Sequence, residues 1–149
     1  MPTLSRVALL GAGHIGQTIA RLLGDSGDYQ VTVFDKNPAA LARIGGRGVR
    51  TCVADTEHGP SLLAVLGGQG GFEAVVNALP YHLAVATATV ARAAGCHYFV
   101  LTEDVAATRA IQALAQGAAP PSCRSAGWRR ASSASWRTTW RSASTPCTT

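Results

Sequence analysis

Six consecutive residues, Gly11-Ala12-Gly13-His14-Ile15-Gly16, place three glycines at the spacing Gly-x-Gly-x-x-Gly. That spacing suits one task, bringing peptide backbone against a diphosphate. The first glycine permits a tight turn, the second removes a side chain that would hold a pyrophosphate away, and the third lets a helix lie close on its strand. Alone, the pattern is weak, because glycine turns also serve packing. Its surroundings strengthen it. An apolar run, Leu4 to Leu10, precedes it, and Ile15, Ile19, Leu22 and Leu23 follow at helical spacing, so the turn joins a strand to the start of a helix. At the mouth of that helix stand Ile15 and His14, the latter most simply a turn residue. Free N–H groups and partial positive charge there favour an anion.

Asp35 ends the next β-branched and aromatic run, Gln30 to Asp35, 24 residues after Gly11. A carboxylate there can accept hydrogen bonds from both hydroxyls of an adenosine ribose and would repel a 2′-phosphate. The expected cofactor is therefore NAD in preference to NADP, with neighbouring Lys36 arguing the other way. Asp35 also fits a plain turn residue ahead of Asn37-Pro38. Asp55, just past a third strand, is placed either to reach the adenine edge or simply to shape its loop. Asn77-Ala78-Leu79-Pro80-Tyr81-His82 leaves a fourth strand where a nicotinamide would lie, with backbone of Ala78 and Leu79 and the adjoining Pro80 as contacts. His82 could carry a proton, although histidines at helix starts are more often solvated. Thr102 ends a fifth strand and reads first as an N-cap, with Glu103 and Asp104 favoured by the helix dipole, and second as part of the site. No catalytic acid or base is identified.

The elements that position these residues alternate along the chain. Strands are predicted over 4–10, 30–35, 49–53, 72–77 and 96–101. Helices follow each: one from Ile15, a short one opened by Asn37-Pro38 and carrying Leu41 and Ile44, one around Leu62 to Leu66, one over 82–94 and one over 105–116. Strands that read as nearly continuous apolar runs specify a parallel sheet covered on both faces. Right-handed crossovers then give a doubly wound, Rossmann-like α/β fold with strand order 3-2-1-4-5. The ligand crevice lies where the winding reverses, between strands 1 and 4.

The chain is 149 residues long, one domain by length and short for both a cofactor and a substrate domain. Its charge is divided unevenly. Residues 1–117 contain all eight acidic side chains and eight of the thirteen basic ones; the whole formal charge of +5 belongs to five arginines in residues 118–149. Those last residues also carry Trp128, Trp136 and Trp140 but no Leu, Ile, Val, Met, Phe or Tyr. A segment dominated by Ala, Ser and Thr buries too little apolar surface to offset its ordering entropy, so a disordered tail is expected. Arginine with tryptophan could in principle grip nucleic acid or a membrane, but the tail lacks an amphipathic stripe, and neither partner is expected. No apolar run is long enough to span a bilayer or form a signal-peptide core, and a cytosolic protein is expected. Cys52, Cys96, Cys123 and Cys147 are far apart, which suggests structural thiols rather than a metal clamp or redox pair.

The glycine turn, Val33-Phe34-Asp35, Val53-Ala54-Asp55, Asn77-Ala78-Leu79-Pro80 and above all Tyr98-Phe99-Val100-Leu101-Thr102-Glu103-Asp104 resemble the N-terminal cofactor domain of the saccharopine dehydrogenase family, over residues 4–117. The resemblance implies hydride transfer between NAD(P) and the CH–NH carbon of an amino-acid-derived secondary amine or imine, in lysine and related metabolism. It also implies a second, substrate-binding domain after the first. Residues 118–149 do not read as its beginning. Back-translated with G/C-rich codons and read from the third base, however, Ser125 to Ser132 become Cys-Gly-Leu-Ala-Pro-Gly-Phe, similar to the family's crossing into that domain. A frameshift near Gly117 is therefore expected, leaving residues 1–117 as a cofactor-binding domain with little or no turnover and an exposed apolar patch that could drive homo-oligomerisation. The alternative, an NAD-binding regulatory domain of an ion-transport system, shares the first three strands but not the Leu79-Pro80-Tyr81-His82 or Leu101-Thr102-Glu103-Asp104 segments.

Overall fold

The structure, a computed structural model, describes residues 5–68, 71–101 and 103–116. Thr102 and the expected tail from residue 118 lie outside the described residues. Strands β1 (Ser5–Leu10), β2 (Tyr29–Asp35), β3 (Val49–Val53), β4 (Ala74–Asn77) and β5 (His97–Val100) form one parallel sheet in the order β3-β2-β1-β4-β5. Helices α1 (His14–Ser26), α2 (Pro38–Leu41), α3 (Gly59–Gly67), α4 (Ala84–Ala93) and α5 (Val105–Gln116) connect and follow the strands.

Register matters most for the site. Leu10 pairs with both Phe34 and Asn77, Asp35 with Val53, and Asn77 with Val100. The loops after all five strands therefore emerge along one edge of the sheet. Alternation within β1 divides the core between two faces. Ala8 and Leu10 join Leu62, Leu66, Ala84, Ala88 and Ile111 from α3, α4 and α5, whereas Val7 and Leu9 join Ala20, Leu23 and Leu41 from α1 and α2. The winding reverses between β1 and β4, as expected.

Four local expectations need correction. β3 is not covered on both faces: Arg50 to Val53 are exposed, Val53 by 60%, because α2 is only four residues long and cannot shield an edge strand. That same brevity leaves Ile44 outside α2, in the glycine-rich approach to β3. On the far side, α4 does not begin at His82; a 3-10 turn, Tyr81–Leu83, precedes it, and β4 starts at Ala74 rather than Phe72. Of the two cysteines within the described residues, Cys96 is the structural thiol expected, buried and pushed up in pKa by desolvation, which disfavours the reactive thiolate. Cys52 is exposed on β3.

Candidate functional site

The fold requires glycine at two of the three positions of the turn and leaves the third free. Gly11 has φ +99, and a Cβ there would approach the Ala78 carbonyl oxygen to 2.9 Å. A Cβ on Gly16 would lie 1.9 Å from the carbonyl oxygen of Gly11, so helix and turn could not close as they do. Gly13 differs from both. Its φ of −68 suits any residue, and a Cβ there would meet nothing within 4 Å. As N-cap of α1 it provides no side-chain hydrogen bond to the helix, where Ser, Asp or Asn would be better caps. The first intrahelical bond here runs from Gln17 N–H to the Gly13 carbonyl. N–H groups earlier in the turn, on His14 and Ile15, have no place in the helical ladder. Gly13, His14 and Ile15 are exposed, and no acidic residue occupies the first turn. The first turn is open and carries no carboxylate of its own.

Asp35 faces this mouth from β2. Its Oδ2 accepts from the Ala12 N–H at 2.7 Å and its Oδ1 from the Asn37 N–H at 2.8 Å. One oxygen shapes the Asp35–Asn37 turn, as the turn reading expects, while the other ties the strand end to the glycine loop. Each oxygen keeps a lone pair for a further donor. Lys36 points elsewhere: its Nζ lies 2.6 Å from Glu57 Oε1. Asp55 shapes its loop through one carboxylate oxygen. Its Oδ1 accepts from the N–H groups of Glu57 and His58 at 3.0 and 3.2 Å, turning the chain into α3.

The opposite wall is built from β4 and β5. Ala78 N–H donates to the Leu10 carbonyl at 2.8 Å, holding the loop after β4 against the glycine turn. Asn77, 2% exposed, fixes the rest: its Oδ1 accepts from Leu79 N–H at 2.8 Å and its Nδ2 donates to the Tyr98 hydroxyl at 2.8 Å. Tyr98 passes the chain on, its hydroxyl donating to the Ala84 carbonyl at 2.8 Å. Burial pushes the Tyr98 phenol up to about 12, against a smaller lowering by Asn77. Ala78 and Leu79 thus border the crevice on a rigid support, with Pro80 exposed at its rim.

Gly11, Gly13, His14, Ile15, Gly16, Asp35, Ala78, Leu79 and Pro80 therefore lie along one edge of the sheet, at the exits of β1, β2 and β4 and in the start of α1, with Lys36 and Asp55 beyond β2 and β3. His82 is exposed with its ring edge-on to Tyr81 at 5.9 Å, the setting of a solvated histidine. At the start of α5, Asp104 Oδ1 accepts from the Ala106 and Ala107 N–H groups. Among the described residues, no group of three or more His, Cys, Asp or Glu is placed to hold a metal ion, and no helix is long and apolar enough to cross a membrane. Sequence reasoning missed Glu57 and the Asn77–Tyr98 pair. A signal for the pair was present, because a polar residue ending an apolar central strand must find hydrogen bonds inside.

The sequence profile of the saccharopine dehydrogenase NADP binding domain matches residues 7–147, a span that continues past Gly117. No curated protein matches. Among solved structures, apo saccharopine dehydrogenase (L-Glu forming) from Saccharomyces cerevisiae superposes with a TM-score of 0.61 at 20% identity, over 74% of this chain and 24% of that one. The WlbA dehydrogenase from Bordetella pertussis, solved with NADH and UDP-GlcNAcA, gives 0.56 at 23% identity over 74% of this chain and 33% of that one. A Rossmann-fold NAD(P)-binding family protein from Shigella flexneri gives 0.57 at 17% identity, over 76% and 62%. At these identities the structural likeness concerns the fold, and the chain spans about a quarter of the yeast enzyme's length.

Proposed function

From a chain that belongs to the saccharopine dehydrogenase NADP binding domain family, we propose a cofactor-binding domain that prefers NAD to NADP and serves a cytosolic oxidoreductase acting on CH–NH groups of amino acids, as in lysine metabolism. The observation that carries the binding reading is Gly13. The fold itself explains glycine at 11 and 16, but neither backbone angle nor space requires it at 13. A pyrophosphate lying against the peptide does. The preference for NAD rests on Asp35, whose carboxylate faces the glycine loop where a ribose would lie and would repel a 2′-phosphate.

When bound, the nicotinamide supplies a hydride donor or acceptor. The residues described here bind and orient: the mouth of α1 meets phosphate, Asp35 meets ribose, and the Ala78–Leu79 backbone, held by Asn77, borders the nicotinamide half. Groups that grip the amino acid belong, by the resemblance, to a second domain. The residues described are therefore expected to bind cofactor without appreciable turnover. Calorimetric titration of the full chain with NADH and with NADPH tests this. Heat with NADH and weaker heat with NADPH are expected, whereas no heat from folded protein at millimolar levels of either would refute it.

We propose further that residues 118–149 are translated out of register, on the strength of their composition. The family match continuing to residue 147 pulls the other way. The codons of residues 119–149 decide: the idea fails unless the shifted frame spells the Gly/Pro turn and leads into a substrate domain.

A further inference from the structure

Lys36 follows the ribose-facing Asp35 directly, so a free ammonium there would be a ready partner for a 2′-phosphate. It is not free. Lys36 Nζ and Glu57 Oε1 are 2.6 Å apart, with both side chains about half exposed. The Glu57 carboxylate, by hydrogen bond and by charge, holds the Lys36 ammonium above its usual range, with smaller help from Asp55 and Asp35. Glu57 itself is held in place. Its N–H donates to Asp55 Oδ1, and Ala54 N–H donates to the Asp35 carbonyl at 3.0 Å, fastening the exit of β3 to the exit of β2.

We propose that Glu57 is a specificity-determining residue, which withholds Lys36 from a 2′-phosphate and so keeps the adenosine end selective for a dinucleotide with a free 2′-hydroxyl. This rests on the dinucleotide reading above. Around that ribose edge stand three carboxylates, Asp35, Asp55 and Glu57, and a single lysine committed to one of them. A 2′-phosphate would have to break the Lys36–Glu57 pair to gain a cation, and would still leave Glu57 nearby as a like charge. Because the pair is exposed and screened by solvent, its effect is a modest bias rather than an absolute barrier.

The test measures NADH and NADPH dissociation constants by calorimetry on the full chain, for wild type, Glu57→Gln and the double variant Glu57→Gln/Lys36→Met. Glu57→Gln is expected to raise NADPH affinity relative to NADH by about five-fold. The double variant is expected to lose most of that gain, since the gain requires the released lysine. An unchanged ratio in Glu57→Gln, or the same gain in the double variant, overturns the proposal while leaving dinucleotide binding intact. Wild-type protein that binds neither dinucleotide overturns the binding reading, and this proposal with it.

Discussion

On the β1 side of the crevice, the turn from Gly11 to Gly16 is fixed by backbone packed on backbone: a Cβ at 16 would sit inside the Gly11 carbonyl, and one at 11 would press on the Ala78 carbonyl. On the β4 side, the loop from Asn77 to Ala84 is fixed by two buried side chains, with Asn77 and Tyr98 carrying hydrogen bonds from Leu79 to Ala84. The first wall has no slack, because nothing smaller than glycine exists. The second can be loosened atom by atom. The two should therefore fail differently when altered: steeply and by steric exclusion on one side, in graded steps and with pH dependence on the other.

The largest effect is expected at Gly16. Gly16→Ala puts a methyl 1.9 Å from a carbonyl oxygen that belongs to the turn itself, so α1 must move off β1. Overpacking against rigid backbone lies at the upper end of the usual range, about 3 kcal/mol or more. That is a large fraction of a small domain's stability. Urea unfolding should show a lower midpoint or no folded baseline. A variant as stable as wild type would mean that the helix is not seated on the turn as described.

Next comes Tyr98. Tyr98→Phe keeps the ring but leaves Asn77 Nδ2 and the Ala84 carbonyl without their shared partner, a loss of about 1–3 kcal/mol. The wild-type hydroxyl also predicts a pH dependence. Burial favours the neutral phenol and raises its folded pKa from 10 to about 12, so its contribution is fully present below pH 10 and is lost as pH rises through about 12. The linkage is on the order of 3 kcal/mol. Unfolding measured across that alkaline range should show the steeper decline in wild type and a shallower one in Tyr98→Phe. Equal slopes would show that Tyr98 is not the buried acid responsible.

The same contrast explains what could be read in advance. Strand order, with its reversal between β1 and β4, and the glycine turn are legible because parallel β–α alternation admits few topologies and because Gly11, Gly13 and Gly16 fall between an apolar strand and a helical repeat. Asp35 was legible by its distance from Gly11. The Asn77–Tyr98 bond joins residues 21 positions apart and the Lys36–Glu57 pair joins two different loops, so neither has a local signature. The exposure of β3 has no signature in the strand itself because it depends on the length of α2. Helix ends are poorly marked when, as at Tyr81–Leu83, a 3-10 turn adds residues before the α-helix.

Gly13 gives the smallest effect on folding and the sharpest on function. Its φ of −68 lies where alanine is at ease, and the added methyl would point into open space. Gly13→Ala should therefore change the unfolding free energy by less than about 0.5 kcal/mol. In the proposed binding mode the methyl would stand between the pyrophosphate and the peptide, and NADH affinity should fall by about ten-fold or more as the phosphate loses its approach to the N–H groups of α1. Folding and binding thus separate at one atom. If Gly13→Ala bound NADH as tightly as wild type, the open mouth of α1 would be a by-product of the turn, and the packing needs of Gly11 and Gly16 would account for the motif without a ligand.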